Sequence, residues 1–340
     1  LTTVLRSRVV ALDALVPVVS PENPVRRISL PDLAAVFSGQ IDNWQALGGV
    51  DAPIALHLPV PGSGLTQAFE DRVLGAAGMQ MSPDLRFHER GDRLVRRVAT
   101  DPFAIGIASF SNTGTAQMLS LTGSCGFDLR ANRRAIKTED YPLTAPMFLY
   151  LPQRRLPKVA RDFLAYVRGP GAQIVIRRAG FVDQAPEKIS INAQGDRLAN
   201  AIRAAGPEVE LNELQHVLST LSGFRRLSSS FRFEAGSARP DAQSRSNIEQ
   251  LARALETGLY DGKVLSFVGF SDGEGAASAN RKIALKRAEG VRDAVLAAAE
   301  TVSLERVELQ VAGFGEALPM ACDDSEWGRQ VNRRVEVWVR

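Results

Sequence analysis

Val264-Leu265-Ser266-Phe267-Val268-Gly269-Phe270-Ser271-Asp272 is a nearly continuous apolar run that ends in a small hydroxyl residue and a carboxylate. A short apolar run closed by turn residues reads as a buried strand, with Asp272 at its end. Downstream, Ala284, Ala288, Val291, Val295 and Ala298 form one apolar stripe, which predicts a long helix from about Ala277 to Glu300. Asn280 and Arg287 lie two helical turns apart and share a face of that helix. A strand-end carboxylate then confronts a guanidinium across a groove. The pair suits a zwitterion: the carboxylate accepts from an ammonium, and the guanidinium forks onto a carboxylate.

The surrounding sequence extends the pattern. Ile248, Leu251, Ala252 and Leu255 mark a helix closed by Gly258. Val307 to Ala312 reads as a strand, and Val335, Val337 and Val339 alternate with Glu336 and Trp338 as an end-of-chain strand does. Four blocks recur in order: Gly269-Phe270-Ser271-Asp272, Asn280 with Arg287-Ala288, Gly313-Phe314-Gly315-Glu316, and Asn332-Arg333-Arg334-Val335-Glu336. Their order and spacing resemble the OmpA-like peptidoglycan-binding family over about the last third of the chain. The resemblance implies a mixed-sheet βαβαβ domain and diaminopimelate of peptidoglycan as the partner. It implies that Asp272 binds the side-chain ammonium and Arg287 the carboxylate, with Asn280, Ser271 and Phe270 completing the site. Asn332, Arg333 and Arg334 are expected to be structural, bracing the sheet and the Glu316 turn. Ile283-Ala284 departs from the family's Leu-Ser, and the loop Gly273 to Ala279 is rich in Gly and Ala. The blander alternative is a surface ion pair between Asp272 and Arg287, worth little.

Alternating strands and helices make the first half an α/β domain. Val9 to Val19, Ile54 to Leu58, Phe103 to Ala108 and Pro146 to Leu151 read as strands. Ser29 caps a helix with Pro31 in its first turn that stops at Gly39. Val18 to Val25, Leu33 to Phe37, Ile41-Asp42-Asn43-Trp44, Gly62-Ser63-Gly64, Ile105-Gly106-Ile107 and Tyr141-Pro142-Leu143 together resemble periplasmic phosphate-binding proteins of ABC importers. Gly62, Ser63 and Gly64 at a helix start offer free N–H groups to an anion such as phosphate. Thr66 is the remaining candidate, one position out of register. Pro59 stands where the family has Arg, and Leu65 where it has Thr, so weak or absent phosphate binding is expected. The resemblance begins partway through the family pattern, so the domain is read as trimmed or as one lobe.

These readings place a binding-protein-like domain at 1–183, a linker with short helices at 184–227 and the OmpA-like domain at 228–340. Leu1 is not an initiator Met, so the chain reads as processed or trimmed. At 45% hydrophobic and 23% charged residues, the 340-residue chain is neither disordered nor fibrous. The net charge of +3 rests on dispersed Arg pairs, not on the focused basic stripe that nucleic acid requires. No apolar run reaches membrane-spanning length. Cys125 and Cys322 fit no metal spacing; two lone thiols are the favoured reading, with pairing to each other or outside the chain left open. The three histidines also lack metal-ligand spacing. Gly269-Phe270-Ser271-Asp272-Gly273 spells G-x-S-x-G, but His57, His88 and His216 all precede the serine, which argues against a hydrolase triad. No cofactor, metal or enzymatic activity is expected. The expected place is the periplasm of a Gram-negative bacterium, at the cell wall and in reach of the outer membrane.

Overall fold

A computed structural model of the chain describes residues 5–206, 208–234, 237 and 239–340; Leu1 lies outside them. They form two units: Val10–Met147 with Arg155–Gln184, and residues 5–9, Phe148–Arg154 and Ala185–Arg340.

The sheet of the first unit runs Arg86–His88, Ala55–Pro59, Ala104–Ser109, the part of Leu5–Val19 from Val10 on, and Gln117–Met118, and Thr144–Pro152 also pairs with Leu5–Val19. The first three strands are parallel, and Leu5–Val19 is antiparallel to Ala104–Ser109. The helix Leu30–Ser38 starts and stops on its sequence signals. The Ser29 side chain accepts from the Asp32 N–H, Pro31 occupies the first turn, and Gly39 closes the helix at φ 82°. Leu33, Val36 and Phe37 on that helix are fully buried.

Two adjacent strands of this unit bring His57 and His88 together, with Nδ1 of one 2.8 Å from Nε2 of the other. His57 is fully buried, and its Nε2 has no hydrogen-bond partner among the described residues. Burial, then His88 and Arg86, push its pKa down to about 4; Arg97 acts in the same direction and Asp101 opposes.

The second unit is a five-stranded sheet in the order Lys188–Ser190, Arg225–Arg232, Arg334–Val339, Lys263–Phe270, Val307–Gly313. Only the last pair is parallel. The end-of-chain strand therefore lies mid-sheet, where both of its faces are buried. One face packs Val335, Val337, Leu265 and Phe267 against Leu251 and Leu255 of the helix Ala242–Glu256 and Val291 and Val295 of the helix Ala277–Ala298. The other packs Val268, Phe270 and Trp338 against Ala201, Val217 and Leu221. Those three come from the helices Gly195–Ala204 and Leu211–Leu221. The short helices expected between 184 and 227 exist, but they complete the core of this unit; a linker would leave their apolar faces wet.

Two glycines control how close the helix Ala277–Ala298 comes to the sheet. Gly269 and Gly313 are register partners on adjacent parallel strands. A Cβ on Gly269 would sit 1.9 Å from the Ala284 carbonyl oxygen, and one on Gly313 would sit 2.4 Å from the Leu285 nitrogen. The helix backbone thus rests on bare strand backbone.

Neither cysteine is a free thiol: Cys125 and Cys322 are both disulfide-bonded. This corrects the reading of two lone thiols, which rested on their spacing along the chain. Among the described residues, no helix is long and apolar enough to cross a membrane, and no group of three His, Cys, Asp or Glu side chains is placed to hold a metal.

Gly269→Ala and Gly313→Ala should each destabilise the protein by at least the ~1–3 kcal/mol of an overpacked core, because backbone has to move. Chemical denaturation reads this directly, and a midpoint unchanged in either variant contradicts the close approach.

Acid should weaken the first unit through His57. The unfolded imidazole takes up its proton near pH 6.5 and the folded one only near pH 4, so stability is lost as pH falls through that window. The loss approaches roughly 3 kcal/mol at the acid end. Melting curves at pH 7 and pH 5 should separate more for wild type than for His57→Gln; equal separations would exclude the pair as the cause.

Candidate functional site

The strand Lys263–Phe270 delivers Asp272 to the C-terminal edge of the sheet, and the helix Ala277–Ala298 returns past it. The four sequence blocks converge there. The Ser271 N–H donates to the Gly315 carbonyl at 2.8 Å, tying the first block to the third. Asn280 Nδ2 donates to Glu316 at 2.6 Å, tying the second to the third. Asn332 accepts from the Met320 and Ala321 N–H groups and donates to Asp323, which in turn accepts from the Gly273 N–H at 2.7 Å. The fourth block thus holds the loop immediately after Asp272. Burial pushes the Asp323 and Glu316 carboxyls above the usual carboxylate range.

Asp272 is 9% exposed and accepts from Arg333 Nη1 at 2.6 Å. Its ion-pair partner is therefore Arg333 and not Arg287. Arg333 also pairs with the exposed Glu326. Arg287 is half-buried and stacks its guanidinium over the Phe233 ring, 5.4 Å from the centroid. It makes no ion pair or hydrogen bond among the described residues. Burial, then the charge of Arg333, lower its pKa, while Asp272 acts in the opposite direction. Arg287 and Arg333 line a cavity of about 580 Å³ with Phe233, Glu234, Lys286 and Glu326. A half-desolvated cation without a partner, beside a second cation that already carries a carboxylate, is a place for an anionic group. Carboxylates that could receive an ammonium stand nearby, each already paired: Asp272 with Arg333, and Glu234, on the cavity wall, with Arg239 and Arg245.

The other predicted residues are placed differently. Phe270 is a core residue: Gly269 faces the helix, so strand alternation turns Phe270 to the opposite face, against Phe314 and Trp338 and beneath the Arg334 guanidinium at 4.2 Å. Ser271 is buried, and its hydroxyl donates to the Asp272 carbonyl. Asn280 is buried against Glu316 and supports the site from behind. Arg333, expected to be structural, braces Asp272 and also lines the cavity. The signal was in the sequence. In the strand Arg334–Val339, Arg334, Glu336 and Trp338 share one face, so the preceding Arg333 belongs with Val335 on the helix side.

In the first unit Gly62, at φ 79°, turns the chain into the helix Gly64–Phe69. Ser63 is the N-cap, accepting from the Thr66 N–H and donating to Thr66 Oγ1. Thr66 is fully buried, and its hydroxyl donates to the Pro59 carbonyl. Both hydroxyls are satisfied within the turn, which removes Thr66 from the anion candidates. A Cβ at Gly62 or Gly64 would meet nothing within 4 Å, so these two border open space.

Comparison with known proteins follows the same division. Residues 3–169 match the PBP superfamily domain and residues 232–333 the OmpA family. The chain is similar to the phosphate-binding protein PstS of Bacillus subtilis, 27% identical over 190 residues, covering 55% of this chain and 60% of that protein. It is also similar to the outer membrane porin F of Pseudomonas aeruginosa, 28% identical over 108 residues, covering 32% of this chain and 29% of that protein. Among solved structures, it resembles the peptidoglycan-associated lipoprotein from Burkholderia pseudomallei at 24% identity and a TM-score of 0.28, covering 33% of this chain and 89% of that one. The chain thus spans 60% of the length of the PstS relative and 29% of that of porin F.

Calorimetry with inorganic phosphate should give no saturable binding in the micromolar range, because Pro59 and Leu65 bring no donor and the Ser63 and Thr66 hydroxyls are already bonded. A micromolar Kd would mean that other groups carry the anion.

Proposed function

We propose that this chain, in which a PBP superfamily domain is followed by an OmpA family domain, attaches to peptidoglycan by binding diaminopimelate in the cavity beside the helix Ala277–Ala298. The observation that carries this reading is Arg287: a half-buried guanidinium with no acidic partner among the described residues, set beside the Asp272–Arg333 pair. The distal amino-acid end of diaminopimelate, which lysine lacks, offers its carboxylate to Arg287 and its ammonium to Asp272. Arg333 holds Asp272 in place. The work is binding, not catalysis. The place is the periplasm of a Gram-negative bacterium, on the cell wall and near the outer membrane. The first domain's likeness to a phosphate-binding protein supports a second reading, capture of phosphate or another small anion for an importer, against which the closed hydroxyls of Ser63 and Thr66 weigh.

Purified protein should sediment with diaminopimelate-type sacculi and be released by free meso-diaminopimelate. Asp272→Asn and Arg287→Lys should each weaken binding by about 1.5–3 kcal/mol, the range for hydrogen bonds to charged groups. Lysine, which lacks the second amino-acid centre, should bind more weakly than diaminopimelate, and that preference should shrink in Arg287→Ala. Equal retention of wild type and Asp272→Ala on sacculi would sink the reading.

A further inference from the structure

The helix that carries Arg287 has a weak beginning of its own. Ala276 stands at its N-cap with no side chain to accept from the first turn, and the preceding Gly273-Glu274-Gly275 sequence is flexible by composition. The missing acceptor comes from elsewhere. Glu208 Oε2 accepts from the Ala277 N–H at 2.8 Å, and Glu213 pairs with Arg281 one turn further on. Both glutamates favour the positive end of the helix dipole. Glu208 lies just before the helix Leu211–Leu221, and Glu213 lies on it. The partner helix Gly195–Ala204 is anchored at its other end: Arg197 reaches the fully buried Glu336 at 2.7 Å, and Ala201 packs in the core with Phe270 and Trp338.

We propose that the helices Gly195–Ala204 and Leu211–Leu221 form a brace that positions the first turn of the Ala277–Ala298 helix, with Glu208 as its positioning residue. This rests on the reading of the cavity as a diaminopimelate site. The brace touches no ligand. It fixes the turn that carries Asn280, whose amide holds Glu316, whose turn receives the Ser271 N–H next to Asp272. Loosening that turn loosens the strand-end carboxylate relative to Arg287 two turns along the helix.

The test uses the full chain and two independent readouts: amide hydrogen exchange resolved over residues 273–281, and affinity for meso-diaminopimelate. Glu208→Ala should speed exchange at Ala277 to Asn280 at least tenfold relative to the central sheet strands, and weaken binding severalfold. Glu208→Gln, which keeps an acceptor oxygen, should restore most of both. Unchanged exchange in Glu208→Ala, a Gln variant as impaired as Ala, or exchange raised equally across the whole sheet would each overturn the brace. A wild-type protein indifferent to diaminopimelate would overturn the reading of the cavity instead, and the exchange rates alone would still decide the brace.

Discussion

The architecture of the second unit depends on one steric fact: two register-paired glycines, Gly269 and Gly313, let a helix backbone lie directly on a sheet. Any side chain there would push the helix Ala277–Ala298 outward. The helix carries Asn280 and Arg287, and the strand beneath it ends at Asp272, so the span across the cavity is set by this contact. Each glycine also opens a motif block. The blocks hold together because strand, helix and following turn are linked through backbone at the closest possible approach.

Around that contact the charges are sorted by depth. Glu336, fully buried mid-sheet, is held well below the usual carboxylate range by Arg197, Arg226 and Arg334, and it also accepts from the Trp338 indole. Such a cluster is a poor source of net stability but a strong specifier of arrangement, since removing any one member leaves buried charge unmatched. Nearer the surface, Arg333 divides itself between Asp272 and Glu326. Arg287 stands over Phe233 without an acid. The inner arginines share a buried acid, and the outer one retains capacity for a ligand.

Much of this was legible in the residues. The strand read as Val264 to Phe270 is found at Lys263–Phe270, the apolar stripe of the following helix packs as its period implies, and Ser29 and Gly39 bound their helix. Motif order brought Asp272 and Arg287 into one region. What escaped was the partner of each charge. Asp272 pairs with Arg333, 61 positions away, and nothing in local spacing reports a contact made by folding a central strand back from the chain terminus. The role of 184–227 was hidden for a similar reason: its helices are short and modestly apolar, and only the sheet face they cover explains them. His57 and His88 read as unremarkable because adjacency across a parallel pair is not a sequence distance.

The second apolar face of the sheet has a practical side. The family pattern covers 232–333, and those limits invite excision of a fragment. Such a fragment would lack Ala201, Val217, Leu221, Phe224 and Trp338, and would present Val268 and Phe270 to water. It would also lose the whole mid-sheet strand Arg334–Val339 and all but Arg232 of the strand Arg225–Arg232, leaving Lys263–Phe270 without its antiparallel neighbour. A sticky patch next to an open sheet edge is a recipe for self-association, so poor behaviour of the short fragment in solution would report on where it was cut and not on the domain itself.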